Sequence, residues 1–357
     1  MIRIAYIINS VEGGGAALPV PSIADVLREG GADIRVLALT RRDGRALAAM
    51  EAAGLEVHVR DGGETDHRAA LVWLDREIAA LRPTHLWTSL TRATLLGQLV
   101  GLRRRLPVAS WQHAAYLKPG NRRLLRAMQP LSRLWIGDSD AVTRLTAERL
   151  KVPASRLMQW PIFRADPDAP QSVAWTAGSP VRIGSLGRLH LVKGYDVLID
   201  ALAALPPGVA PYQLSIAGDG AERDALQARA NALGLTDVRL VGYADDPRAF
   251  LAGLHLYVQP SRSEGLCVAA HEAMQAGLPV VASAVGQLPY SIVDGRSGFT
   301  VPPNDAPALA RALATMLSRP DDLAAIGATA RIDVLDRFGP DHFRAAGLAV
   351  LDRLRSF

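Results

Sequence analysis

The 357-residue sequence has one cysteine, Cys267. It has no apolar run near the ~18–20 residues that a membrane span needs. A single thiol excludes an intramolecular disulfide and any zinc site built on cysteines, and it suits a reducing, cytoplasmic setting. The opening MIRIAYIINS is too short for a cleavable signal and lacks its small-residue site, so it reads as a first strand. Acid is the scarcer charge, with 35 Asp+Glu against 40 Lys+Arg, a net charge of +5 and a pI of about 9.6. Such a chain attracts anions without saying which: nucleic acid, anionic lipid and phosphorylated substrates all stay open. What is abundant is ordinary for a soluble globular protein, 49% hydrophobic and 21% charged residues. The length suits two domains of about 150 residues each.

Short β-rich runs alternate with helical patterns throughout. IRIAYII, IRVLAL (34–39), HLWTS (85–89), PVASWQH (107–113) and RLWIGDS (133–139) read as buried parallel strands, with helical segments such as 22–31 and 70–81 between them. A second series follows: VRIGSLGRL (181–189), YQLSIAGDG (212–220), VRLVGY (238–243), LHLYVQPS (254–261) and LPVVAS (278–283). Between them, FRADPDAPQSVAWTAGSP (163–180) reads as a linker. Two βαβ series imply two doubly wound α/β domains, 1–165 and 166–339, each with its ligand edge at the carboxyl ends of its strands. A cleft between two such edges is where chemistry is expected. After Gly339 and Pro340, residues 340–357 read as a separate amphipathic helix whose place the sequence leaves open, packing against the first domain being one option.

Two stretches carry the chemistry. GSLGRLHLVKG (184–194) follows a strand. Its glycines, Gly187 among them, permit close backbone approach, and Arg188 with Lys193 suits the two charged groups of a diphosphate; a turn with solvated cations is the plainer reading. SRSEGLCVAAHEAMQAGLPVVAS (261–283) sets Glu264 and Glu272 eight residues apart around an alanine-rich helix that ends at Gly277. The helix N-terminus near Gly265, Leu266 and Cys267 offers free amides to an anion. Along a helix the two acids are separated by up to ~12 Å. Carboxylates bind hydroxyls rather than phosphates, so a sugar and a ribose flanking a diphosphate fit the pair. Dipole stabilisation by Glu264 and an exposed Glu272 is the structural alternative. His271 reads as helix packing or surface.

The E-x7-E spacing, the upstream G-R-L…K-G and DGRSGFTVPPNDAPALARAL (294–313) resemble the retaining nucleotide-sugar glycosyltransferases of family 4, most densely over 181–313. The resemblance implies the GT-B fold, two Rossmann-like domains facing across a cleft. It implies that Arg188 and Lys193 neutralise the donor diphosphate. Glu264 is implied to contact the transferred sugar, Glu272 the ribose, and the amides of Gly265, Leu266 and Cys267 the phosphates and sugar. Gly218, in AGDG (217–220), and Gly242, in VGYADD (241–246), are placed near the nucleotide. The first-domain loop VEGGGAAL (11–18), with Gly14 and Gly15, is placed toward the diphosphate, and His113 is matched to the family's sugar-contacting histidine. Two departures stand out. The usual G-G-x-x-E turn is VGQLPYS here, with Gln287 for the second glycine and Tyr290 for the acid, and QWPIFRAD (159–166) lacks an asparagine–glycine step.

A dinucleotide fold with Arg41 and Arg42 on a phosphorylated ribose is disfavoured, because Leu18 occupies the third glycine's position in G-x-G-x-x-G and Pro19 follows. GDSDA (137–141) contains the D-x-D of metal-dependent transferases, but its position before AVTRLTAERL makes Asp138, Ser139 or Asp140 a helix cap. No cofactor and no essential metal are expected. Arg103, Arg104, Arg105, Arg122, Arg123 and Arg126, mixed with leucine and methionine, suit either a solvated helix face or an anionic membrane surface. Nucleic acid is disfavoured for want of a stacking platform. The expectation is a cytoplasmic enzyme, peripheral at the inner membrane face, that uses a UDP-sugar in preference to a GDP-sugar. Its acceptor is a glycan or a lipid-linked glycan of bacterial surface polysaccharide or glycolipid. The rivals are a nucleotide-sugar epimerase on the same fold and a non-catalytic, membrane-peripheral nucleotide-sugar-binding protein.

Overall fold

A computed structural model describes residues 2–113 and 116–357, so Met1, the first residue of the expected opening strand, lies outside the described residues with Ala114 and Ala115. The chain divides into two compact units, 1–164 with 340–357, and 165–339.

The first unit holds a seven-stranded sheet: β1 (Ile2–Ile8), β2 (Ala32–Ala38), β3 (Glu56–Val59), β4 (His85–Ser89), β5 (Val108–Gln112), β6 (Leu134–Gly137) and β7 (Leu157–Gln159). Its helices are α1 (Val20–Glu29), α2 (Leu47–Ala52), α3 (His67–Leu81), α4 (Thr91–Arg104), α5 (Pro119–Met128) and α6 (Asp140–Leu150). The spatial order is β3-β2-β1-β4-β5-β6-β7, and the pairings are parallel. β4 and β5 are buried at every position, which is why they read as unbroken apolar runs. The order reverses between β1 and β4, where Ile8 pairs with Ser89 at the carboxyl edge. Such a reversal leaves a crevice at the strand ends, the place where open α/β sheets take ligands.

The second unit holds six parallel strands: β8 (Val181–Leu186), β9 (Tyr212–Ala217), β10 (Val238–Gly242), β11 (Leu256–Gln259), β12 (Val280–Ser283) and β13 (Gly298–Val301), in the order β10-β9-β8-β11-β12-β13. Its helices are α7 (Tyr195–Ala203), α8 (Arg223–Ala232), α9 (Pro247–Ala252), α10 (Val268–Gln275), α11 (Leu288–Ser291), α12 (Ala306–Leu317) and α13 (Leu323–Phe338). Here the reversal falls between β8 and β11. The core beneath it packs Ile183, Leu214, Ile216, Leu256 and Val258 against Leu198 and Leu313 of the flanking helices.

The last helix, α14 (Pro340–Leu354), belongs to the first unit. Phe343 meets Trp160 with ring centroids 5.3 Å apart, and the Leu354 carbonyl lies 3.2 Å from Nε2 of His85. Trp160 in turn stacks on Trp111 at 5.0 Å, so this helix covers a tryptophan cluster under the sheet. Among the described residues no helix is long and apolar enough to cross a membrane.

Candidate active site

In the second unit the residues singled out from sequence gather at the carboxyl ends of β8 to β11. Gly187 follows β8, Gly218 follows β9 and Gly242 ends β10. The amide of Gly218 donates to the Gly242 carbonyl at 2.6 Å, and the amide of Gly187 to the Ala217 carbonyl at 2.9 Å. A Cβ on Gly218, whose φ is 144°, would lie 2.0 Å from the Gly187 oxygen. Only glycine lets these two loops touch. Arg188 stands on the loop so placed, exposed, and among the described residues its guanidinium has no hydrogen-bond or ion-pair partner.

Lys193 and Glu264 meet directly. Nζ donates to Oε1 at 2.7 Å, with side-chain exposures of 20% and 11%. The same oxygen accepts from Ser261 Oγ at 2.6 Å and Gln259 Nε2 at 3.3 Å, and Tyr257 donates to Gln259 Oε1 at 2.8 Å. The two loops are clamped a few residues away. Arg262 holds Asp196 through both terminal nitrogens, at 2.8 and 2.7 Å, while its own amide donates to the Val192 carbonyl at 2.8 Å. Burial works against the Lys193 ammonium, but Glu264 outweighs it, aided by Cys267 and Tyr195, and lifts the pKa above the ordinary lysine range. Lys193 is a permanent cation.

Glu264 does not lie on the helix. α10 starts at Val268, capped by Cys267 in the left-handed region at φ 68°, so the axial separation expected for Glu264 and Glu272 does not apply. Gly265 to Cys267 form a turn instead, braced by Gly286. A Cβ there would lie 2.3 Å from the Gly265 oxygen and 2.5 Å from that of Glu264, and the Gln287 amide donates to Gly265 at 2.9 Å. The VGQLPYS departure therefore keeps the glycine that the contact requires, and Tyr290 is exposed. Among the described residues the amides of Leu266, Cys267, Val268 and Ala269 have no acceptor, the condition in which a helix start accepts an anion.

Glu272 is half-buried on α10, and among the described residues its carboxylate has no hydrogen-bond or ion-pair partner. Burial pushes its pKa up to about 7, against a smaller opposing pull from Arg248. His271 beside it packs: it is fully buried, Nδ1 is 2.9 Å from the Cys267 carbonyl, Nε2 is 2.8 Å from Ser291 Oγ, and its ring meets Phe338 edge-on.

In the first unit Gly14 and Gly15 lie on the loop between β1 and α1, which begins only at Val20. Arg42 is held by Glu12 at 2.6 Å and Glu64 at 2.7 Å, which leaves it unavailable to a ribose phosphate. His113 follows β5: Nε2 is 2.7 Å from Ser89 Oγ, while Nδ1 lies 3.4 Å from Asp138 Oδ2 and makes no hydrogen bond. Ser139 is the cap of α6, accepting from the Val142 amide at 3.2 Å, whereas Asp138 is turned to the histidine. Ser89 and Asp138 went unassigned as site residues in the sequence. The available signal was a polar residue at the carboxyl end of each of two buried strands, Ser89 closing β4 and Asp138 just past β6.

The basic residues fall into two groups. Arg104 binds Asp75 at 2.7 and 2.8 Å, Arg103 approaches the same acid at 3.7 Å, and Arg105 ends α4 in the left-handed region. Arg122, Arg123 and Arg126 instead line a concavity with Glu148, Arg149 and Lys151.

Two parallel-sheet Rossmann-like domains with glycine-rich strand ends define the GT-B class. The solved structure of Anabaena Alr3699/HepE in complex with UDP-glucose matches over 100% of both chains with a TM-score of 0.85 and 21% identity, a likeness of fold. Residues 174–333, nearly all of the second unit, match the family Glycosyl transferases group 1. The lipopolysaccharide core biosynthesis glycosyltransferase LpsE of Rhizobium meliloti is 39% identical over 138 residues, 38% of this chain and 39% of that protein. The lipopolysaccharide core biosynthesis mannosyltransferase LpcC of Rhizobium leguminosarum bv. viciae is 32% identical over 196 residues, 53% of this chain and 56% of that protein. The chain thus spans about half the length of the curated relatives it matches, or less.

Proposed function

We propose that the chain is a retaining glycosyltransferase of family 4 type, a hexosyltransferase. It moves a sugar from a nucleotide-diphosphate donor, UDP-linked in preference to GDP-linked, to a hydroxyl of a glycan or lipid-linked acceptor in bacterial surface polysaccharide or glycolipid synthesis. The observation that carries this reading is the conjunction of the Lys193–Glu264 pair with the unpartnered amides of residues 266–269 on the β11–α10 segment. Cations and amide dipoles fixed in advance stabilise charge that develops on a leaving diphosphate. Arg188, exposed and unpartnered, is the second cation.

In the proposed step the bond from the anomeric carbon to the leaving phosphate oxygen breaks. The acceptor oxygen bonds to that carbon on the face the diphosphate leaves, and its proton passes to the leaving phosphate oxygen. Arg188, Lys193 and the amides supply the positive charge, so no essential metal is needed. Glu264 accepts from hydroxyls of the transferred sugar and Glu272 from the ribose, with His113 a further contact to the sugar. Support comes from the roles of LpsE and LpcC in lipopolysaccharide core biosynthesis and from the UDP-glucose bound by HepE. A cytoplasmic place at the inner membrane face completes the proposal.

Thermal stabilisation by UDP, GDP, ADP and NADP, each with and without EDTA, tests it. A ligand at a hundred times its Kd adds ~2.7 kcal/mol, a visible shift. Selective stabilisation by UDP that survives EDTA is expected. Stabilisation by NADP alone would overturn the reading.

A further inference from the structure

The concavity on the first unit is independent of that chemistry. Its volume is about 400 Å³, and its lining is charged throughout: Arg122, Arg123 and Arg126 from α5, with Glu148, Arg149 and Lys151 from the end of α6. Packing explains the convergence. Leu125 on α5 and Leu150 on α6 are buried in one cluster with Trp135 and Val152. Clamping those two leucines together brings their neighbours to a shared rim, Arg126 on one side and Arg149 and Lys151 on the other. The result is five cations around one acid.

Many other arginines of the chain are neutralised. Arg35, Arg42, Arg60, Arg104, Arg229 and Arg262 each meet a carboxylate. Arg122, Arg123 and Arg126 do not: among the described residues none of their side chains has a hydrogen-bond or ion-pair partner. Like charges held in one hollow repel unless an anion joins them, and guanidinium groups match phosphate oxygens in pairs. Every residue that lines the hollow carries a charge, so its ligand is expected to contribute an opposite one. The place is also remote from the strand ends. α6 starts at the carboxyl edge, just past Asp138, and eight residues separate Asp140 from Glu148, ~12 Å of helix.

We propose that this concavity is a binding site for a phosphate ester, separate from the donor site, that holds an anionic group of a bound molecule at a distance from the transferred sugar. Such an ester has two sources, a soluble phosphorylated glycan or the headgroup of an anionic lipid.

The test compares the full chain with the R122Q/R123Q/R126Q variant, whose three positions are exposed and make no core contact. Two probes are used at low salt: glycerol 3-phosphate by calorimetry, and phosphatidylglycerol vesicles against phosphatidylcholine vesicles by sedimentation. Hydrogen bonds to charged groups are worth enough that binding is expected to fall roughly tenfold or more. Loss on glycerol 3-phosphate assigns a soluble ester. Loss confined to phosphatidylglycerol vesicles assigns a lipid headgroup. Equal binding by both proteins to both probes, or no binding to either, overturns the site. UDP binding, measured in parallel, is expected to be the same in both proteins, so a failure of the donor reading shows itself separately.

Discussion

The Lys193 ammonium stands 2.7 Å from Oε1 of Glu264, so the cation proposed for the donor diphosphate is already neutralised by the carboxylate proposed for the sugar. Ser261 and Gln259 hold the same oxygen, which fixes the acid's position before any ligand arrives. A donor entering this site finds its charges arranged rather than having to arrange them, which lowers the reorganisation its transition state would require.

That pairing makes Lys193 structural as well as functional. With exposures of only 20% and 11%, either partner left alone is a poorly solvated charge. Removing one member of a buried pair costs about 3–5 kcal/mol, and partial exposure brings the expectation to about 2–4 kcal/mol. Lys193→Ala is therefore expected to be destabilised by that amount, and Lys193→Met with Glu264→Gln to recover much of it. Urea unfolding of the wild type, both single variants and the double variant checks this. An unchanged midpoint in Lys193→Ala would show that the pair adds nothing to the fold.

Arg188 separates function from stability. Its side chain is exposed and, among the described residues, unpartnered, so Arg188→Ala is expected to stay within about 0.5 kcal/mol of wild type. Losing one preorganised electrostatic donor costs about a hundredfold or more in kcat. Sugar transfer by Arg188→Ala is expected to fall by that factor with the melting temperature unmoved. Turnover like that of the wild type would remove Arg188 from the reaction.

Much of this was legible in sequence because the signals were local. Parallel strands in the middle of a sheet give largely apolar runs, and the nine interior strands stand out in the sequence together with β10, an edge strand. The three missed, β3, β7 and β13, each lie at a sheet edge, where one side meets solvent and the run is only three or four residues long. Partnerships were less legible than positions. Glu264 was visible as an acid after a strand, but its pairing with Lys193 spans 71 residues and depends on the β8–β11 neighbourhood. Asp138, Ser139 and Asp140 read alike as candidate caps because their side chains share the same capping chemistry, and Ser139 is the one that caps. The unwinding of the chain between Glu264 and Val268 was hidden because a left-handed cysteine gives no compositional warning.

Glu272 provides a test through protons. Its pKa rises to about 7 because burial disfavours the carboxylate. Between the unfolded value of about 4.5 and the folded value of about 7, the native state binds more protons than the unfolded chain. Stability therefore falls as pH rises through that window, and above it Glu272 is a net cost to the fold. Glu272→Gln is expected to gain on the wild type as pH goes from 5 to 8, by roughly 1–3 kcal/mol in denaturant unfolding. A ribose diol donating to the carboxylate favours its charged form, so UDP binding near pH 6.5 is expected to release protons. Calorimetry in buffers of different ionisation enthalpy reads that release. No release by the wild type would separate Glu272 from the nucleotide.

His113 lies between Ser89 and Asp138: Nε2 is 2.7 Å from Ser89 Oγ, and Nδ1 is 3.4 Å from Asp138 Oδ2 without a hydrogen bond to it. A carboxylate only accepts, so the nearby Asp138 favours hydrogen on Nδ1, an arrangement that leaves Nε2 to accept from the Ser89 hydroxyl. Asp138→Asn replaces the acceptor with a group that also donates and weakens that preference. The ¹⁵N shifts of His113 are expected to move toward the Nε2–H tautomer. If the imidazole touches the transferred sugar, kcat is expected to fall roughly tenfold or more with little change in UDP affinity. Ser89→Ala removes the hydroxyl at Nε2 while leaving Asp138 in place, so it is expected to keep the Nδ1–H tautomer. An unchanged tautomer in Asp138→Asn would mean that Asp138 does not orient the ring. A shifted tautomer with unchanged kcat would keep the orientation and exclude His113 from the chemistry.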